Sequence, residues 1–131
     1  MNPKTTAINL SPDTFAESCD KLIAERIRIK KEKDNKIVNT TFESIKKSIK
    51  EFVKNCPLNV KEEVTNYLYD DGLKYTNDHL LVIVEGIKAL GFEVRNRYVN
   101  SIQSLELNSK HLKILLDFEP NYYKMIFITK L

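Results

Sequence analysis

The sequence predicts an α+β fold in which N-terminal amphipathic helices and one further helix pack on a small antiparallel C-terminal sheet. Apolar residues recur at three- and four-residue steps in the first half of the chain and at two-residue steps in the last third. A chain of 131 residues has the length of one domain and can bury enough surface to fold without a metal or a disulfide. We therefore expect a single domain over 1–131, with a flexible N-terminus over 1–10, a helical region over 12–56 and an α+β core over 57–131.

The helical region begins at Ser11-Pro12-Asp13, which supplies a hydroxyl N-cap, a proline at the first helical position and an acid near the positive end of the helix dipole. Two sets of apolar residues follow at helical spacing. The first stripe consists of Phe15, Cys19, Leu22, Ile23 and Ile27. The second stripe consists of Val38, Phe42, Ile45, Ile49, Phe52 and Cys56.

A charged segment, residues 30–36, separates the two stripes, and the stripes are out of phase across it. Either one long helix rotates its apolar face there, or two helices meet at a break near Asp34-Asn35. The sequence favours the break. Pro57 ends the helical region, because proline cannot extend a helix and disfavours helical geometry at the residue before it.

The middle of the chain is the least distinct part. Val60, Val64, Tyr67 and Leu68 fit a short helix, while residues 58–60 and 73–75 each fit a short strand. Asn77 is expected to cap a helix over 78–90, and Gly91 is expected at the position after its C-terminus. From Phe92 onward the two-residue period predicts three or four antiparallel strands, with turns at 108–110 and 119–121.

The composition excludes several classes of protein. The longest apolar run, residues 80–84, is far too short to span a bilayer, and the first ten residues lack the apolar core of a signal peptide. With no export signal, Cys19 and Cys56 are expected to stay reduced and half-buried. We expect a protein that stays inside a cell, with no membrane partner.

The sequence shows no recognisable catalytic motif and no metal-ligand pattern. The three glycines are too widely spaced for a phosphate-binding loop, and both cysteines lie on apolar stripes. A divalent site around Asp70, Asp71, Asp78 and His79 is conceivable, but turns and helix starts are rich in acids for other reasons. We expect no enzymatic activity, no metal and no cofactor.

Two kinds of binding remain. The heptad-like second stripe, together with the first, presents more apolar helical surface than one small sheet face readily covers, which favours a protein partner or self-association. The alternative is that both stripes fold back onto the sheet. The predicted partner-binding residues are Val38, Phe42, Ile45, Ile49 and Phe52.

Nucleic-acid binding is the alternative function. Residues 26–36 carry a net charge of +4, which could contact several phosphates. The candidate residues are Arg26, Arg28, Lys30, Lys31, Lys33 and Lys36. The opposing interpretation is that mixed lysine and glutamate on a helix form an ordinary solvated surface.

The segments "GIKALGFEVRNRY" and "LKILLDFEPNYYKMIFITKL" follow a basic amphipathic helix. In this order and in the Leu90-Gly91-Phe92 junction, residues 40–131 resemble small α+β proteins of large tailed bacteriophages and other large DNA viruses. The resemblance implies a virion component or a small host-takeover or anti-defence protein, located in the virion or in the cytoplasm of the host cell. It implies no functional residues, because those proteins share no catalytic motif with this chain.

Overall fold

A computed structural model describes residues 12–58, 61–68 and 74–131 and confirms the α+β fold class. The expected flexible N-terminus, 1–10, and the helix-start residue Ser11 lie outside the described residues, as do Asp70 and Asp71. The described elements are α1 (Pro12–Asn55), β1 (Glu62–Tyr67), α2 (Asn77–Ala89), β2 (Glu93–Asn96), β3 (Ser104–Asn108), β4 (Leu112–Glu119) and β5 (Tyr122–Thr129).

The whole of α1 is one continuous helix, so the break expected near Asp34-Asn35 is absent. The chain contains no glycine and no proline between Pro12 and Pro57, and nothing in the backbone therefore interrupts the helical hydrogen bonds. Within the charged segment, Lys30 Nζ lies 2.8 Å from a carboxylate oxygen of Asp34 one turn later. Such pairs at four-residue spacing favour the helix. The two apolar stripes therefore lie on different sides of one continuous helix.

The chain divides into two compact units, residues 1–35 and residues 36–131. In the described residues, the first unit is the leading half of α1. The second unit contains the remaining half of α1, all five strands and α2. The hydrophobic core lies in this second unit.

The strands form one antiparallel sheet in the order β1-β5-β4-β3-β2. Strands β2 to β5 are consecutive neighbours, which confirms the predicted meander. The short helix expected around Val64 and Tyr67 is wrong, because these residues form β1 against β5. Half-buried and exposed side chains alternate along β1, and its Val, Thr and Tyr suit a strand.

The C-terminal half of α1 and α2 cover one face of the sheet. Their buried residues share one cluster with alternate residues of β3, β4 and β5. Phe52 of α1 stacks on Phe127 of β5 with ring centroids 4.6 Å apart. A Cβ atom on Gly86 would lie 3.0 Å from Cε1 of Phe42, so the absence of a side chain there lets α2 approach α1 closely.

The N-terminal end of α2 differs slightly from the prediction, whereas its C-terminal end agrees with it. The N-cap is Thr76 rather than Asn77: the Thr76 hydroxyl accepts the backbone N–H of His79, and Nδ1 of His79 accepts the backbone N–H of Thr76 at 3.0 Å. This reciprocal pair satisfies two N–H groups that the helix itself leaves free. At the other end Gly91 has φ 102°, a conformation that glycine adopts without strain.

Candidate protein-binding surface

The second stripe is covered by its own chain. Ile45 is fully buried and Phe52 is 3% exposed, while Val38, Phe42 and Ile49 are half-buried against the same core. The prediction that these five residues form a free docking surface therefore needs correction. Their heptad-like spacing reflects packing on the sheet and on α2 within the second unit.

Hydrogen bonds from α1 accompany this packing. The hydroxyl groups of Ser44 and Tyr123 lie 2.6 Å apart, and those of Thr41 and Tyr75 lie 3.0 Å apart. Burial raises the pKa of both tyrosines, for Tyr75 to about 12. Both hydroxyls therefore stay protonated at neutral pH and can hold this half of α1 to the rest of the unit.

The first stripe is the opposite case, because its large apolar side chains are exposed. The exposed fraction is 60% for Phe15, 68% for Leu22, 54% for Ile23 and 50% for Ile27. Cys19 is half-buried. Ile29 is not among the five residues of the first stripe, but it lies next to them in the same half of α1 and is 39% exposed. Single exposed apolar residues are ordinary on protein surfaces, but a contiguous set is typical of an interaction site.

Helical geometry brings these side chains together. Cys19 follows Phe15 by four residues, and Leu22 and Ile23 follow Cys19 by three and by four, which places all of them on one side of α1. Since a helix rises 1.5 Å per residue, the side from Phe15 to Ile29 is about 21 Å long. Ile23 and Ile27, with Arg26 and Lys30, line a shallow depression on this surface.

Ion pairs along the helix flank the first stripe. Arg28 pairs with Glu25 and with Glu32, and the hydrogen bond from Arg28 lowers the pKa of Glu25. The same contacts raise the pKa of Arg28, the bond to Glu25 contributing most. All three side chains are exposed, so these pairs add little stability. They do hold Arg28 along the helix.

The six cations predicted for nucleic-acid binding are all exposed on α1. They do not share one side of the helix: Arg26, Lys30 and Lys33 follow at steps of four and three, whereas Arg28 and Lys31 point to other sides. Arg28 and Lys30 are also engaged with acids of the same helix.

Exposed tyrosine rings can stack on nucleic-acid bases. Tyr123 is buried, however, and Tyr122 lies beside Tyr67, with ring centroids 5.2 Å apart. Tyr98 is exposed, with the Arg97 guanidinium 5.8 Å from its ring centroid. Arg97 itself pairs with Asp117 at 3.2 Å.

The residues considered for metal binding and catalysis have structural roles where they are described. His79 is buried and occupied in the cap of α2. Across 12–58, 61–68 and 74–131, no three His, Cys, Asp or Glu side chains are grouped so that they could hold a metal ion. A depression of about 230 Å³ next to Tyr75 is lined also by Lys74, Gln103 and Glu119. Burial raises the pKa of Tyr75 to about 12, so its hydroxyl is protonated at neutral pH.

The two cysteines are free and half-buried, as expected. The Cys56 thiol donates a hydrogen bond to Glu62 at 3.1 Å, and this contact raises the pKa of Cys56. Within the described part of the chain, no helix has the length and apolar character needed to cross a membrane.

Comparison of the chain with models of protein families, with curated proteins and with solved structures finds no match.

Proposed function

We propose that the protein is a non-enzymatic protein–protein interaction protein, and that it binds through the first stripe of α1. The observation that carries the proposal is the contrast in exposure along one helix. The second stripe is sequestered in a core, whereas four large apolar side chains of the first stripe are each at least half exposed. Burying such a surface is the main favourable term in protein association.

The resemblance to small proteins of large bacteriophages and other DNA viruses adds a setting to this proposal. In that setting this protein would act by binding another protein or its own copies. Such a protein needs a docking surface and no catalytic group, and the first stripe supplies that kind of surface.

Photocrosslinking in the full chain tests the proposal. We expect p-benzoylphenylalanine in place of Leu22 to form covalent adducts with protein, because Leu22 lies in the middle of the first stripe and is 68% exposed. The same probe in place of Ala24, which is also exposed but lies on the opposite side of the helix, is the matched control. Equal protein adducts at both positions, or none at either, would contradict the proposal.

Nucleic-acid binding through 26–36 is the competing function, and the same experiment separates the two. Nucleic-acid adducts at position 22 would favour it. An independent measurement is a gel shift at two salt concentrations, since binding by phosphate contacts weakens steeply with salt. If charge reversal at Arg28, Lys30 and Lys31 leaves any retardation unchanged, the basic segment is a solvated surface only.

A further inference from the structure

The first stripe is bordered by charges that differ between its two ends. Over 14–25 the helix has three acids, Glu17, Asp20 and Glu25, against one base, Lys21, for a net charge of −2. Over 26–35 it has five bases, Arg26, Arg28, Lys30, Lys31 and Lys33, against two acids, Glu32 and Asp34, for a net charge of +3. The N-terminal end of this segment is therefore acidic and the C-terminal end basic.

From this polarity we infer that the partner of the first stripe is a second copy of the same chain, paired with it in antiparallel orientation. The inference rests on the proposed function, whose surface it uses. An antiparallel pair sets the acidic end of each copy against the basic end of the other. Charge complementarity of this kind selects both the partner and the orientation.

The opposite orientation is disfavoured by two cations on the apolar side of the helix. Arg26 follows Cys19 by seven residues and Leu22 by four, and Lys33 follows Arg26 by seven, so both continue the line of the first stripe. A parallel pair in register would bring Arg26 against Arg26 and Lys33 against Lys33. Antiparallel pairing places these cations at opposite ends, and the helix dipoles then also oppose one another.

The positions of the apolar residues define the register. Phe15 and Ile29 each lie seven residues from Leu22. A two-fold axis at Leu22 therefore sets Phe15 of one copy level with Ile29 of the other and overlaps the full length of both stripes. Six apolar side chains from each copy bury on the order of 1,000 Å² in total, which is the lower limit of specific interfaces, so we expect the pair to dissociate on dilution.

Sedimentation equilibrium of the full chain tests the pairing itself. We expect a monomer–dimer equilibrium that Leu22→Glu weakens at least about tenfold, because it introduces two facing carboxylates at the axis. Ala24→Glu, which makes a similar charge change on the opposite side of the same helix, should leave the dimer intact. Circular dichroism of both variants checks that α1 still forms.

Disulfide crosslinking tests the orientation. On a Cys19→Ser and Cys56→Ser background, a Phe15→Cys chain and an Ile29→Cys chain are mixed, allowed to exchange and oxidised. The antiparallel register predicts a crosslink between the two different chains and little crosslinking in either chain alone. Serine at position 56 retains a hydroxyl that can donate to Glu62, as the thiol does.

Each contrary result has its own meaning. Self-crosslinking of the Phe15→Cys chain alone would overturn the antiparallel orientation and leave the proposed function standing. A monomer at all concentrations up to about 0.5 mM would overturn self-pairing. Photocrosslinking at position 22 would then decide the proposed function alone. A dimer that Leu22→Glu does not weaken would overturn this inference together with the first stripe as its surface.

Discussion

The two halves of α1 share an apolar pattern at helical spacing but differ in how far their apolar side chains are buried. Both contain apolar residues at helical spacing, and both are rich in lysine. In residues 36–55 every apolar side chain except Val53, which is 63% exposed, is buried or half-buried, and Ile45 is fully buried. In residues 14–35 the large apolar side chains are 39% to 68% exposed. Apolar periodicity therefore predicts that a helix has a face to cover and does not predict what covers it.

The side chains next to each stripe carry the missing information. The second stripe is flanked by Thr41 and Ser44, short hydroxyl residues that reach Tyr75 and Tyr123 of the same unit. The first stripe is continued by Arg26 and Lys33, whose long charged side chains need solvent or an opposite charge. Along α1, the buried stripe is therefore the one whose neighbouring hydroxyl groups bond within the unit, and the exposed stripe is the one continued by cations.

Hydrogen exchange should show the largest difference between the two halves. In dilute solution we expect amides of residues 37–55 to be about a thousandfold more protected than amides of residues 15–33, because an isolated helix of this length is marginal in water whereas a packed one opens only with its unit. The measurement is exchange followed by mass spectrometry of peptides from each half.

The same experiment at higher protein concentration sharpens the comparison. If a second copy covers the first stripe, protection of 15–33 should rise with concentration while that of 37–55 stays constant. Equal protection of the two halves in dilute solution would mean that the exposed half is stabilised by something other than association.

Truncation of one apolar side chain in each half should give the next largest difference. Phe52→Ala removes a buried ring stacked on Phe127 and should lower the free energy of unfolding by about 3–5 kcal/mol. Leu22→Ala removes an exposed side chain and should change it by less than about 0.5 kcal/mol. Urea unfolding followed by tyrosine fluorescence is suitable, because all six tyrosines lie within 36–131. Equal losses for the two variants would show that the first stripe is covered within the monomer.

Much of the fold could be predicted from the sequence. The meander from β2 to β5 follows from strict alternation, as in β4, where Leu112, Ile114, Leu116 and Phe118 are all buried. The C-terminus of α2 was placed correctly because Gly91 supplies a conformation that few other residues adopt. Both features depend only on residues that are close in the sequence, so they can be predicted without knowledge of the tertiary contacts.

The failures required information about other parts of the chain. Strand β1 exists because β5 offers it a free edge, and nothing within residues 62–67 reveals that edge. The break expected at Asp34-Asn35 was inferred from a change of apolar phase, but a helix without glycine or proline continues through such a change. Regular heptad-like spacing favours the second stripe as the docking surface, but this stripe packs in the core and the first stripe is exposed.

Alkaline pH should weaken the buried half of α1 selectively. Burial raises the pKa of Tyr75 to about 12, whereas a tyrosine in the unfolded chain has a pKa of about 10. The folded chain thus holds the proton more tightly, so the free energy of unfolding is unaffected by this group below about pH 10 and falls as the pH rises from about 10 to about 12. Tyr75→Phe should make the fall less steep, and Tyr98→Phe, at an exposed position, should leave it unchanged. An identical slope in both variants would contradict a protonated Tyr75 hydroxyl as a link to Thr41.

The smallest effect is expected in the exposed half, from loss of the ion pairs of Arg28 with Glu25 and Glu32. Arg28→Gln keeps a long helix-favouring side chain, so it removes the charge with little change in helix propensity. Because the pairs are exposed and screened, amide exchange over 15–33 should accelerate by less than about threefold, and the difference should vanish at 1 M salt. Lys31→Gln removes the same charge from an exposed neighbour and is the matched control. A large acceleration, persisting in high salt and specific to Arg28→Gln, would show that Arg28 makes buried contacts in solution. The first half of α1 would then be buried in solution, as the second half is.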